Sequence, residues 1–500
     1  MSFHAAPMPQ ALAALLAFVA GAAVVLAFEP FGFFPLAFLS LAVLAAVLDR
    51  VRRPSRGFLI GFCWGLGAFL AGVSWLFVAL NRYGGMPVPL AALAIFLFCA
   101  YLALYPGLAG ALFVRLRPAN LCLKILLFAA LWVGQEGLRA WVFTGFPWLS
   151  IGYSQTPPSP LAGWLPVLGV YGVGACVAVL AALLVFVPWR QSRPALVGGV
   201  AIGLLLLGGF GLRGVAWTQP TGEPVKVALV QTNVAQELRW SPEHAQDWLE
   251  LNFRMSDQPA ADLVVMPETS LPMLLEYLPE GYLEHLSRRA AAAESELLMG
   301  AFARDEGQVY NAMLSLGVTP GQSYAKRHLV PFGEYSPPLF GWFYRLADIP
   351  MSDQTPGPPK QPPLQLAGQQ VAVNICYEDL FGRELLHALP EASLMLNVSN
   401  LAWYGRSLAQ PQHLQIAQVR ALETGRPMLR STNTGMTALV MPDGRVEAVL
   451  PQFVREVLMV EVQGHVGSTP FARWADWPAF VWAALMLLLA GALCRRKAPA

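Results

Sequence analysis

Apolar positions run unbroken for bilayer-length stretches as far as Leu212, and beyond it they shorten into runs of four to ten separated by polar, turn-forming residues. A helix needs roughly 20 consecutive apolar residues to cross a membrane. Seven stretches qualify before residue 220: Gln10 to Phe28, Phe33 to Leu48, Gly57 to Leu80, Pro87 to Val114, Leu121 to Phe143, Leu161 to Pro188 and Pro194 to Leu212. An eighth spans Trp477 to Cys494. The first has the length of a signal peptide but no basic leader, and Phe28-Glu29-Pro30 is a poor cleavage site, so it reads as a retained anchor. The pattern predicts an eight-helix transmembrane bundle.

Between Thr221 and Val466 the pattern becomes that of an α/β domain. Strands are predicted at Val225 to Val234, Asp262 to Pro267, Glu296 to Phe302, Tyr310 to Gly317, Gln370 to Cys376, Ala392 to Val398, Met428 to Ser431, Thr437 to Met441 and Val457 to Val462. Helical periodicity separates them at Pro242 to Met255, Tyr282 to Ala293 and Gln410 to Gly425. Strand followed by helix, repeated, predicts a sheet core with helices outside. The expected organisation is 1–220 membrane helices, 221–466 catalytic domain and 467–500 the last span with its tail.

Composition agrees: 56% of residues are hydrophobic and 13% charged, unlike a soluble domain. A net charge of +2 without a basic block excludes a nucleic-acid partner. The arginines report orientation instead. Arg50, Arg52, Arg53 and Arg56, then Arg115, Arg117 and Lys124, then Arg190 and Arg193, then Arg495, Arg496 and Lys497 mark alternate loops, while the others carry little beyond Arg82, Arg213 and Arg473. The positive-inside rule then places both termini in the cytoplasm and the α/β domain on the outer face. Within the fifth span, Gln135, Glu136 and Arg139 are costly to bury, and Glu136 with Arg139 forms an i, i+3 pair able to neutralise itself. Trp141, Trp148 and Tyr153 read as interfacial anchors.

Five of the six cysteines lie in or at the end of apolar stretches, where a cysteine behaves as a small hydrophobe. Cys376 stands apart, closing an apolar strand before Tyr377-Glu378-Asp379. With no second cysteine in its domain, it has no disulfide partner in the chain. Two further strand ends carry chemistry: Leu263-Val264-Val265-Met266-Pro267-Glu268, and Ser323-Tyr324-Ala325-Lys326. Singly, a charge at a strand end is usually solvated and a lone thiol usually inert. Strand ends converge in α/β sheets, however, and a carboxylate, an amine and a thiol at three of them form a site. No HExxH, CxxC or glycine-rich phosphate loop is present, so neither a metal nor another cofactor is expected.

The ordered Glu268, Lys326 and Cys376, with Tyr324-Ala325-Lys326-Arg327-His328-Leu329-Val330-Pro331-Phe332-Gly333-Glu334-Tyr335 and Ile375-Cys376-Tyr377-Glu378-Asp379, resemble the nitrilase superfamily. Its Glu-Lys-Cys triad stands on an αββα sandwich. The added spans, Gly145-Phe146-Pro147-Trp148-Leu149 and Asn397-Val398-Ser399-Asn400-Leu401-Ala402-Trp403-Tyr404-Gly405 narrow the resemblance to the apolipoprotein N-acyltransferase family. The resemblance implies a phospholipid acyl donor, the N-terminal diacylglyceryl-cysteine of an apolipoprotein as acceptor, and a bacterial inner-membrane enzyme with a periplasmic catalytic domain. A monomer is expected.

Physical chemistry assigns roles to the three residues. A thiol of ordinary pKa is only a few per cent thiolate at neutral pH, so it needs a base within reach, which Glu268 supplies. Lys326 and the Tyr377 amide are the expected donors to an oxyanion. Glu334 is expected to touch the Lys326 amine or to assist the base, and Glu378 is expected to hold Lys326 or the loop. Tyr377, Asn311 and Ser399 are expected substrate or supporting contacts, with structural roles equally open. His413, Arg420 and Glu423 are expected to stabilise their helix. The apolar Leu339-Phe340-Gly341-Trp342-Phe343-Tyr344 run is read as a lid dipping into lipid, with Trp342 and Trp240 lining the path of the acyl chain. The rivals are a membrane-tethered amidase acting on a small amide and a non-enzymatic scaffold; the intact triad order argues against the second, and the spans against the first.

Overall fold

The computed structural model of the chain describes residues 8–271, 273–335 and 353–495. The expected lid, and Trp342 with it, lies outside the described residues. The chain divides into two compact units, one formed by residues up to Ser74, Pro89–Val215 and the segment from Trp474, the other by Trp75–Val88 and Ala216–Arg473.

Among the described residues seven helices are long and apolar enough to cross a membrane: Gln10–Ala27, Pro54–Val73, Val88–Leu116, Leu121–Arg139, Pro160–Phe186, Ser192–Leu212 and Trp477–Arg495. The remaining expected span is the helix Pro35–Arg50, whose 16 residues extend about 24 Å at 1.5 Å each. In its last turn Asp49 pairs with Lys124 at 2.5 Å and Arg117 at 3.5 Å. Helix Pro54–Val73 packs through glycines. A Cβ added at Gly57 or Gly61 would strike the carbonyls of Gly110 or Pro106, and one at Gly67 the carbonyl of Phe18. Small residues allow this backbone approach, which drives helix association where lipid offers no hydrophobic gain.

The charges of the fifth span secure a loop. Glu136 Oε1 accepts the Ile151 N–H at 2.8 Å. Arg139 donates to the carbonyls of Phe146 and Trp148 and, at 3.1 Å, to Ser150 Oγ. Trp148 and Tyr153 are consequently buried, contrary to the expectation of interfacial anchors, whereas Trp141 is exposed.

The second unit holds two six-stranded sheets. The first is built from β1 (Thr218–Gln231), β2 (Leu263–Val265), β3 (Glu296–Asp305), β4 (Gln308–Gly317), β5 (Ser323–Ala325) and a returning strand at Glu456–Gly467. The second comprises β6 (Leu364–Leu366), β7 (Gln369–Ile375), β8 (Leu394–Ser399), β9 (Met428–Thr432), β10 (Ala438–Val440) and β11 (Val446–Val449). With the returning strand as β12, the orders are β12-β1-β2-β3-β4-β5 and β11-β10-β9-β8-β7-β6. Each sheet has three parallel strands at its centre, β1-β2-β3 and β7-β8-β9.

Period-2 alternation builds the layers. Val225, Val227 and Leu229 of β1 face Val371, Val373 and Ile375 of β7 in a core shared by both sheets. The intervening Ala228 and Val230 pack outward on Leu249 and Leu286 of helices Ala245–Met255 and Tyr282–Ala292. On the other side Ala372 and Met395 pack on Leu414, Ala417 and Ala421 of helix Ala409–Thr424. The result is the expected αββα sandwich. The short strands β6 and β11 were not among those predicted, being too brief to show a period.

Trp75–Val88 packs with this second unit, although the expected boundary left it with the membrane helices. Trp75 meets Tyr404 edge-on at 4.5 Å, Tyr83 meets Trp403 at 5.9 Å, and Arg82 pairs with Glu237 at 2.6 Å.

Candidate active site

Three strand ends carry the expected residues. Glu268 follows β2, Lys326 follows β5 and Cys376 follows β7, so the carboxylate and amine come from one sheet and the thiol from the other. Cys376 has φ of +56° and opens the turn Cys376–Leu380 directly at the end of β7. That left-handed conformation costs a non-glycine residue about 1–2 kcal/mol, and such strain persists only where the surroundings hold it. Thr269, immediately after Glu268, is also left-handed at +49°.

Lys326 is fully buried, with Nζ 2.6 Å from Glu334 Oε1 and 3.4 Å from Glu268 Oε1. Burial alone would push the Lys326 ammonium down, but Glu334 and Glu268 outweigh it and hold the group well above its ordinary value. It is therefore a permanent cation. Glu334 is pushed up by burial and by Glu268, and pulled back by Lys326; its other oxygen accepts the Val330 N–H at 2.8 Å. The Cys376 thiol is raised well above the usual range, first by burial and then by Glu268, with Lys326 opposing. A thiol so raised is protonated at neutral pH and needs a base to react.

Glu268 is presented by a full set of donors. Asn311 Nδ2 donates to Oε1 at 2.9 Å, and the Asn400 N–H, from the end of β8, donates to Oε2 at 2.7 Å. Asn311 also accepts the Lys326 N–H through its backbone carbonyl at 2.7 Å, so it positions Glu268 and Lys326 together.

Glu378 has a different partner set from an ammonium clamp. It accepts N–H bonds from Ile375 at 2.6 Å, Arg327 at 2.7 Å and His328 at 3.0 Å, and the Tyr324 hydroxyl at 3.0 Å. Of the two expected roles, holding the loop describes these contacts: one buried carboxylate ties the end of β7 to the end of β5. Ser399 Oγ donates to Asn397 Oδ1 at 2.6 Å, and Asn397 Nδ2 donates to the Cys376 carbonyl at 3.0 Å. Ser399 thus acts on the thiol's backbone through Asn397. Tyr377 is buried against His328 and Phe381. Trp240 packs on Phe302 at 5.6 Å, beside Arg239, whose guanidinium donates to Thr269 Oγ1 at 2.8 Å and holds the turn after Glu268.

Several residues at the site were not singled out from sequence. Asn400 sits on Glu268, and Asp379 and Arg430 lie beneath the Cys376 turn, where they meet His413, which the sequence had assigned only to its helix. Helix Ala409–Thr424 carries Gln410, Gln412, His413, Gln415, Gln418, Arg420 and Glu423, yet every residue in it is buried. Its missing amphipathic face was the available signal, because a polar helix with no exposed side must serve a polar interior.

A two-sheet sandwich with a carboxylate, an ammonium and a thiol at converging strand ends defines a nitrilase-type αββα protein, here joined to a set of membrane-length helices. Residues 226–471 match the carbon-nitrogen hydrolase model, and residues 20–183 match the apolipoprotein N-acyltransferase N-terminal domain. An apolipoprotein N-acyltransferase from Nitrosomonas europaea is 46% identical over 97% of this chain and 98% of its own. One from Chromobacterium violaceum is 44% identical over 97% of this chain and 94% of its own. Among solved structures, Nit3 of Saccharomyces cerevisiae, a nitrilase-superfamily member, covers 49% of this chain and 93% of its own at 17% identity, with a TM-score of 0.38. The chain belongs to the apolipoprotein N-acyltransferase family.

Proposed function

We propose that this membrane protein transfers a fatty acyl chain from a phospholipid, through a thioester on Cys376, to the α-amine of the N-terminal diacylglyceryl-cysteine of apolipoproteins. The observation that carries the site assignment is the buried Lys326 ammonium, held between Glu268 and Glu334 at 3.4 Å and 2.6 Å beside the strained Cys376 turn. Glu268 takes the thiol proton as Sγ attacks the ester carbonyl. Lys326 and the Tyr377 N–H stabilise the oxyanion, a contribution of about 3–4 kcal/mol for one well-placed donor. Collapse expels the lysophospholipid, whose oxygen receives the proton from Glu268. The acceptor amine then attacks the thioester, gives its proton to Glu268 and leaves as the amide, regenerating the thiol.

The αββα unit stands on the periplasmic side of a bacterial inner membrane and both termini are cytoplasmic; the arginine-rich alternate loops support this orientation. Membrane-length helices favour a bilayer-borne donor over a water-soluble amide. The test is intact-mass measurement of purified protein after incubation with phospholipid of one acyl composition. A single acyl mass on the wild type, absent from Cys376→Ala and discharged by a diacylglyceryl lipopeptide, is expected. Release of ammonia from small amides without any phospholipid requirement would overturn the assignment.

A further inference from the structure

Beneath the nucleophile lies a charged cluster that the transfer chemistry above does not use. Asp379, three residues past Cys376, is fully buried; one carboxylate oxygen lies 2.7 Å from His413 Nε2 and the other 3.0 Å from Arg430 Nη1. Asp379 lies within the turn Cys376–Leu380 that the thiol opens, and Asn397 binds the Cys376 carbonyl from the neighbouring strand at 3.0 Å. Arg430 is paired in register with Asn397 across β8 and β9. Its Nε and Nη2 find no acceptor among the described residues, so Asp379 anchors both His413 and Arg430.

We propose that Asp379 is a positioning residue for acyl transfer: bound to His413 and Arg430, it pins the turn Cys376–Leu380 and so fixes the left-handed backbone at Cys376, and with it the directions of the thiol and of the Tyr377 N–H. A strand that ends in a left-handed residue relaxes unless its carbonyl is held. Here Asn397 holds the carbonyl, and Asp379, through His413 and Arg430, holds the turn that follows it. Electrostatics alone would give Asp379 the opposite effect on rate. Burial and Glu268 are the main causes that raise the thiol, and the Asp379 charge adds to them. Removing that charge makes the thiol more acidic, so a slower variant must have lost geometry rather than thiolate.

The inference rests on Cys376 being the acyl-carrying thiol, and one experiment separates the two claims. The full chain in detergent is mixed rapidly with phospholipid, and the acyl adduct is followed by intact mass for the wild type and Asp379→Asn. With the amide, an N–H group faces one of the donors that the carboxylate accepted. The expected result is an acylation rate constant lower by about 100-fold, the scale of a 1 Å misplacement, with the final adduct still near one per chain and half-saturating phospholipid unchanged. A damaged fold would instead lower the final adduct, leaving the rate of the surviving fraction intact, and that result overturns the proposal, as does a rate within threefold of wild type. No adduct on the wild type would overturn the thioester assignment itself. His413→Gln breaks the same link while leaving the Asp379–Arg430 pair in place, and the same rate loss is required of it. It is the variant that decides if Asp379→Asn does not accumulate folded.

Discussion

Replacing Lys326 by methionine keeps the length of the side chain and removes its charge. The wild-type ammonium is fully buried, 2.6 Å from one carboxylate and 3.4 Å from another, and at an effective dielectric near 20 the attractions are worth about 6 and about 5 kcal/mol before desolvation is subtracted. Breaking a buried pair by removing one partner costs about 3–5 kcal/mol, because the remaining charges stay buried. For a unit of this size that is a fall in Tm on the order of 10 °C. The pH dependence follows from Glu334. Burial and Glu268 already raise it, and Lys326 is what pulls it back, so in the variant its folded pKa moves further above the unfolded value. A carboxyl raised in the folded state contributes stability that is present below its unfolded pKa and lost as pH rises through the folded one. The Tm deficit of Lys326→Met is therefore smallest near pH 5 and grows towards pH 8. Melting curves of both proteins across that range, with acyl-adduct formation followed in parallel, are the assay. Loss of the oxyanion partner predicts adduct formation slower by about 100- to 1,000-fold at every pH. A Tm deficit equal at pH 5 and pH 8, or adduct formation within tenfold of wild type, would refute the reasoning.

Two further substitutions probe the supports of the site. A Cβ at Gly300 would come within 2.5 Å of Pro267 O and Thr269 N, so Gly300→Ala should displace the Glu268 turn and slow acylation about 100-fold; a rate within threefold in a rapid-mix mass measurement would show that the turn tolerates the methyl group. Glu378→Gln sets an amide NH2 against a nest of N–H donors and should lower stability by about 2–4 kcal/mol, visible as a reduced Tm together with slower acylation; wild-type values of both would mean that the strand ends hold together without it.

The layers of the sandwich were legible because β1 and β7 carry short apolar runs bounded by polar residues, as central strands covered on both faces do. Glu268 and Cys376 stood out as candidates because each closes an apolar run, and Lys326 because it follows an alternating segment. Glu378 was visible only as a nearby carboxylate: its three N–H donors are backbone groups brought together by the pairing of distant strands, and backbone groups carry no sequence signature. His413 was read as a helix stabiliser because its spacing to Arg420 and Glu423 suits one helical face. Arg420 and Glu423 do pair, at 3.0 Å. His413 points instead to Asp379, a contact across 34 positions that no local rule reaches. The boundary at Trp75–Val88 was obscured because its aromatic residues continue the apolar run of the preceding helix.

Cys376 belongs to one sheet and Glu268 and Lys326 to the other, joined at their ends by the Glu378 carboxylate and by the Asn400 N–H on Glu268. The spacing between reacting groups is thus a thickness, set by what fills the gap between the sheets. Val265, Leu298, Val373 and Ile375 fill that gap, and they act as shims. A methyl group gained or lost among them would retune the reaction from within the oily interior, with every polar residue of the site left in place.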